Sequence, residues 1–325
     1  MCLLALAHGA SAQVSVRSPA EAAPFPAVNL NGMALAQNDA AIEQARLLRE
    51  SAPPVRAGVT ADGTALPAPD ATDGTDDSFG AQMILKSQER LRSFVVTAGA
   101  SFAYTSNVAL TRRAERHDVF GVVDAGIGWS RRIASELEAN VAGHISMFRY
   151  DRTPSIDFEN LGFGAGLSWA PRQLRNASLF ARYDFTELLD SDGDQILMEH
   201  ALTAGVQKII TLGRSHALNV GFSGTASFAD PNAAQRQQIG AFLSYHLQLT
   251  RKLETSILYR PAVHFYTDSG RTDFNQIVSL NLRHRFNESA DVNASFTYGM
   301  NRSDRSVFDY DVITSGAAVT LSIRF

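Results

Sequence analysis

Two short spacings in this sequence could do chemistry. His144 and Ser146 stand two residues apart, and Ser244 and His246 repeat the spacing in reverse. A serine beside a histidine is the minimum for nucleophilic catalysis, provided the base is within hydrogen-bond reach and a third group orients it. On a strand, side chains at i and i+2 share a face about 7 Å apart, too far for that transfer without help. No GxSxG, HExxH or phosphate-loop pattern accompanies the pairs, and the eight histidines are scattered without metal-ligand spacing. Serine and histidine also populate any polar channel wall. The expectation is a non-enzyme with no cofactor and no metal.

A second group of residues is electrostatic. Arg182, Asp184, Glu254, Arg260, His264, Arg283, Arg285 and Asp291 all fall on the polar face of alternating segments. What they do depends on the elements that carry them.

Composition narrows those elements. The chain has 325 residues, 45% hydrophobic and 19% charged, which is too apolar for wholesale disorder. No apolar run approaches the ~18 residues of a membrane helix. A net charge of −4 argues against nucleic acid as a partner. The single cysteine, Cys2, excludes a disulfide framework and any cysteine-based zinc site.

The N-terminal part divides in two. Residues 1–12, MCLLALAHGASA, join an apolar stretch to the small-x-small triplet Ala10-Ser11-Ala12, the form of a signal peptide. Its basic n-region is missing, so the true start is expected upstream. Residues 13–92 read as a flexible periplasmic extension, with one short helix near 39–50 that Asn38 or Asp39 can cap and Pro53-Pro54 ends. That helix offers only the narrow apolar stripe of Ile42, Ala45 and Leu48. Behind it, Asp62, Asp70, Asp73, Asp76 and Asp77 mark an acidic linker.

From residue 93 the texture becomes two-residue alternation. Phe94, Val96, Ala98, Ala100, Phe102 and Tyr104 share one face, while Thr97, Gly99 and Ser101 share the other. Comparable runs recur to Phe325, about 12 in all, separated alternately by short turns and longer polar connectors. Trp129, Trp169, Phe286 and Phe325 fall on apolar faces at the short-turn ends. Tyr104, Tyr183, Phe185, Phe228, Phe265 and Tyr298 fall near the other ends, as two membrane girdles would. The predicted fold is all-β: a transmembrane antiparallel up-and-down β-barrel over 93–325, both termini periplasmic, behind a mostly disordered extension. Pro261 lies inside the ninth run and predicts a bulge.

The polar face would then line a lumen. Between the filled interior of eight strands and the wide channel of sixteen, 12 strands predict a narrow pore, open or occluded. If strands nine and ten pair about residue 269, Glu254 faces Arg285, Arg260 faces Ser279 and His264 faces Asn275. Pairing about residue 288 sets Arg285 against Asp291 as well. Arg285 is thus the expected brace, and Arg260 and Arg283 are expected to present positive charge to anionic or sugar solutes. Arg182, Asp184, Arg260, His264, Arg283 and Arg285 are the expected pore-lining set.

The last strand, Val319-Thr320-Leu321-Ser322-Ile323-Arg324-Phe325, resembles the C-terminal strand of Gram-negative outer-membrane proteins. Tyr104-Thr105-Ser106-Asn107-Val108 is similar to a short motif of a β-barrel porin family of unknown substrate. The resemblance implies a bacterial outer-membrane location among lipid and lipopolysaccharide, and recognition of Phe325 by the barrel-assembly machinery. It carries no substrate and no catalytic residue. The function expected is passive diffusion of small solutes through a narrow pore. A non-conducting export component or anchor is the alternative, and an outer-membrane hydrolase the lesser one.

Overall fold

The computed structural model describes residues 42, 43, 45–47 and 50, and 93–325 apart from 113, 114, 175, 176, 214 and 288. The signal peptide and acidic linker expected above lie outside these residues. Twelve strands follow in order: β1 Phe94–Thr105, β2 Asp118–Ala134, β3 Leu137–Tyr150, β4 Phe158–Trp169, β5 Ala177–Asp190, β6 Gln195–Thr211, β7 His216–Asp230, β8 Arg236–Gln248, β9 Leu253–Tyr266, β10 Thr272–Arg285, β11 Ala290–Ser303 and β12 Tyr310–Arg324. Each pairs antiparallel with its sequence neighbour, and β1 pairs with β12, so the sheet closes on itself.

The alternation becomes two environments. Val123, Ile127, Val141 and Ile145 point outward and are exposed, while Val122, Ala142 and Ser146 between them are buried. Apolar side chains facing out and polar ones facing in invert a soluble protein, and lipid is the surrounding that makes this arrangement stable. Closure also gives every strand two hydrogen-bonded neighbours, which a sheet in hydrocarbon requires. Trp169, Phe286 and Phe325 are outward at the short-turn end; Tyr104, Phe228 and Phe265 are outward at the other. At the seam, Phe94 stacks on Phe325 with ring centroids 6.0 Å apart.

Inward glycines make room for large neighbours. A methyl on Gly162 would overlap the His144 ring. At Gly205, on the inward face of β6, it would overlap the Phe222 carbonyl oxygen and the Phe180 ring.

Two expectations about the ladder need correction. Pro261 makes no bulge: β8 and β9 keep one register from Gly240–Ala262 to Leu243–Tyr259, and the ladder skips only the pairs between them. A proline lacks one N–H but leaves chain spacing intact, so a missing rung costs less here than an inserted residue. Register shifts occur instead at Arg132/Ala134 and at Leu188/Leu189. The expected contrast in connector length is also weak. Strands extend into the predicted loops, leaving outer connectors such as 191–194 and 231–235 no longer than the opposite connector 170–176; only 106–117 is distinctly long.

Candidate functional site in the barrel lumen

The helix expected near 39–50 is present in its described residues, but not as part of a periplasmic arm. Ile42, Glu43, Ala45, Arg46, Leu47 and Glu50 are helical, and they pack inside the barrel toward the long-connector end. Glu43, Arg46, Leu47 and Glu50 recur at i, i+3, i+4 and i+7, so one helix face carries them. Arg46 Nη2 donates to Glu199 Oε1 at 2.6 Å and to the Ala234 carbonyl oxygen at 2.6 Å, and Nη1 reaches Glu43 at 3.2 Å. Ser227 Oγ donates to the same Glu199 carboxylate at 2.5 Å.

Glu43 and Glu50 are answered by Arg236. Its Nη2 lies 2.7 Å from Glu50 Oε1, and its Nη1 lies 3.6 Å from Glu43 Oε2 and 3.1 Å from His264 Nδ1. Tyr266 donates its hydroxyl to Glu43 at 2.8 Å, and Arg260 Nη1 donates to the Glu50 carbonyl oxygen at 2.9 Å. Arg46, Arg236, Glu199 and Glu50 are buried. Such charges are stable out of bulk water only because each is paired.

An apolar layer surrounds the ion pairs. Ile42 and Leu47 join Phe120, Phe148, Tyr150, Phe158, Leu188 and Ile277 in one buried cluster. These strand residues point inward near the outer mouth, where a simple channel would be polar. The helix and this layer fill the outer end of the lumen.

Burial by itself would raise the Glu43 carboxyl. Arg236, Arg46 and Arg271 outweigh that, with help from the Tyr266 hydroxyl, and hold it at about 2 against an ordinary 4.5. A group with a depressed pKa favours the docked helix above the undocked value and loses that contribution as pH falls through the docked one. The Glu43 contribution to helix docking should therefore be lost as pH falls between 4.5 and about 2. Protease access to the helix across that range, on protein refolded in detergent, checks this.

The other expected residues divide by depth. Arg182 Nε and Asp184 Oδ2 pair at 2.7 Å along β5. His264 is buried between Arg236 and Glu50 rather than facing Asn275; its strand partner is Asp273. Arg260 lies opposite Ile277, not Ser279, and its guanidinium holds the helix end instead of facing solutes. The brace near the short-turn end is built on Arg283, not Arg285. Glu254 is the strand partner of Arg283, whose Nη2 reaches Asp291 at 2.6 Å and Nη1 reaches Glu254 at 3.7 Å. Arg285 is opposite Asp291 as expected and lines a small cleft with Gln248, Arg251 and Lys252.

The Ser/His pairs behave differently from each other. His144 meets Asn160 at 3.3 Å, whereas Ser244 Oγ and His246 Nε2 are only 2.6 Å apart. Leaning side chains close the gap that strand rise alone would leave. Ser244 is wholly buried. Among the described residues no group of three or more metal-ligating side chains converges.

The spacing of Glu43, Arg46 and Glu50 was the available sign of a docking face. Arg236 was hidden because it falls where the sequence reads as a connector.

No family model matches this chain, and no curated protein matches it. Solved structures do. An outer-membrane channel from Pseudomonas putida F1 superposes with a TM-score of 0.52 at 9% identity, over 71% of this chain and 95% of that one. A bacterial polysaccharide outer-membrane secretin gives 0.43 at 13% identity, over 72% and 99%. KdgM porin in complex with disordered oligogalacturonate gives 0.39 at 7%, over 70% and 99%. The likeness is one of fold. With the outward apolar belt, it makes the chain an outer-membrane β-barrel.

Proposed function

We propose that the protein is an outer-membrane channel for small polar solutes, held closed near its outer mouth by its own helix. The observation that carries this reading is the change of lumen wall with depth. Toward the short-turn end many inward positions are polar or small, as at Asn140, Gly166, Arg182, Gln207 and Asn293. The large apolar cluster lies at the level of the helix, and deeper in the barrel Phe180, Phe242 and Leu258 add separate inward bulk that narrows the lumen. Twelve strands leave more room than side chains of this size fill, so the lower lumen suits water and small solutes. Acids and arginines are paired there, which favours neutral or zwitterionic solutes over one ion sign.

Planar-bilayer recording tests the reading, with heat-modifiable gel mobility confirming folding. The intact chain should be mostly silent, and a chain lacking 13–50 should show discrete conductance steps. Silence from both folded proteins would overturn the channel reading in favour of an anchor or export component.

A further inference from the structure

The helix sits on groups that belong to the barrel wall itself. Arg236 opens β8 and pairs with Tyr266, which ends β9, so this part of the wall stands at the outer end of the barrel. Arg260 and His264 share the inward face of β9, and Arg271 closes the connector to β10. A guanidinium can only donate. Arg236 Nη1 therefore donates to His264 Nδ1 at 3.1 Å, which leaves the ring proton on Nε2 as a further donor. Tyr266 adds its hydroxyl, which donates to Glu43. The wall acids that flank this seat are held by neighbours: Asp273 by Arg271 at 3.1 Å, and Glu199 by Ser227 at 2.5 Å.

The seat holds two carboxylates, and it holds them unevenly. Glu50 Oε1 accepts a hydrogen bond from Arg236 Nη2 at 2.7 Å. Two other contacts are longer than a hydrogen bond: Glu43 Oε2 is 3.6 Å from Arg236 Nη1, and Glu50 Oε2 is 3.8 Å from His264 Nε2. His264 is buried, and its Nε2 has no hydrogen-bond partner among the described residues. A helix backbone fixes where Glu43 and Glu50 can place their oxygens. A small molecule with two carboxylates is free of that constraint and can bring both to hydrogen-bond distance.

We propose that this seat is a binding site for a small dicarboxylate arriving from outside, which competes with Glu43 and Glu50 for Arg236 and displaces the helix. That displacement opens a path rests on the channel reading above; the binding itself does not. Because the ligand meets only the undocked state, its apparent affinity is reduced by the fraction of helix that is docked.

Glutarate is the probe, with butyrate as the single-carboxylate control at matched ionic strength, on the full chain refolded in detergent. Trypsin cleavage after Arg46, identified by mass spectrometry, reports release of the helix, because that guanidinium is buried while docked. At about ten times its dissociation constant for the undocked state, glutarate should raise the ratio of undocked to docked helix, and cleavage with it, about tenfold. Butyrate should leave cleavage unchanged. In calorimetric titration the Glu50→Gln variant, whose helix holds Arg236 less firmly, should bind glutarate more tightly than the intact chain, and Arg236→Gln should not bind it. Heat-modifiable mobility confirms that each variant folds. No glutarate binding to folded Glu50→Gln, or equal effects of glutarate and butyrate, would overturn the proposal. Glutarate binding by a barrel silent in bilayers would sink the channel reading alone, whereas conductance from the chain lacking 13–50 without glutarate binding would sink this proposal alone.

Discussion

Replacing Arg236 by alanine should release the helix and open the outer mouth. Arg236 is 3% exposed and holds Glu50 at 2.7 Å, Glu43 at 3.6 Å and His264 at 3.1 Å. Its loss leaves the buried Glu50 carboxylate with His264 at 3.8 Å as its nearest basic group, while Glu43 keeps Arg46 and Tyr266. Removing one partner of a buried pair typically costs about 3–5 kcal/mol. At ~1.4 kcal/mol per decade, the docking equilibrium moves by about 10²–10³-fold. Open probability in planar bilayers should rise accordingly, and protease should cleave the helix faster. Arg236→Lys should fall between, since one ammonium cannot serve both carboxylates with the fork of a guanidinium. Unchanged gating in a folded Arg236→Ala barrel would show that the apolar layer alone holds the helix.

The second large effect lies at the other end. Arg283→Ser removes the cation that Asp291 holds at 2.6 Å and Glu254 faces at 3.7 Å. The short-turn mouth then gains net negative charge, and reversal potential under a salt gradient should shift toward cations. Stability should fall by at least about 1–3 kcal/mol, the range for a buried donor or acceptor left unsatisfied, since a charged group costs more. Arg260→Ser should do neither. Its guanidinium is committed to the Glu50 carbonyl, so it should loosen the helix and leave ion preference in the lower lumen unchanged. Identical effects of the two substitutions would contradict this division of roles.

That division was not legible in the sequence, although the barrel was. Alternation survives because lipid and lumen impose opposite demands on successive residues, so Val123, Ile127 and Ile145 identify their face alone. Register is weaker information. Glu254 pairs with Arg283 rather than Arg285 because the β9–β10 connector is centred about one residue earlier than assumed, and a one-residue shift of centre moves a strand partner by two. The brace therefore passed from one arginine to the next on the same face. The Pro261 expectation failed differently: the neighbouring rungs on β8 and β9 sustain the register that a lone missing donor would disturb.

The lumenal helix was half legible. Its existence follows from local propensity, but its destination depends on pairs such as Arg46 with Glu199, 153 residues apart, which no local pattern encodes. The charges that made 39–50 look like a solvated helix are the ones that anchor it. Likewise, inward Phe120, Phe148 and Phe158 break the polar lumen only for a reader who knows that Ile42 and Leu47 are there to meet them.

The place of that helix on the wall also sets an order of events. Its ionic partners come from β6, β8 and β9, on the side of the sheet remote from the seam where β1 meets β12. The ionic half of the docking surface thus lies away from the seam, whereas its apolar half, which includes Ala103, Tyr310 and Val312, is finished only when β1 meets β12.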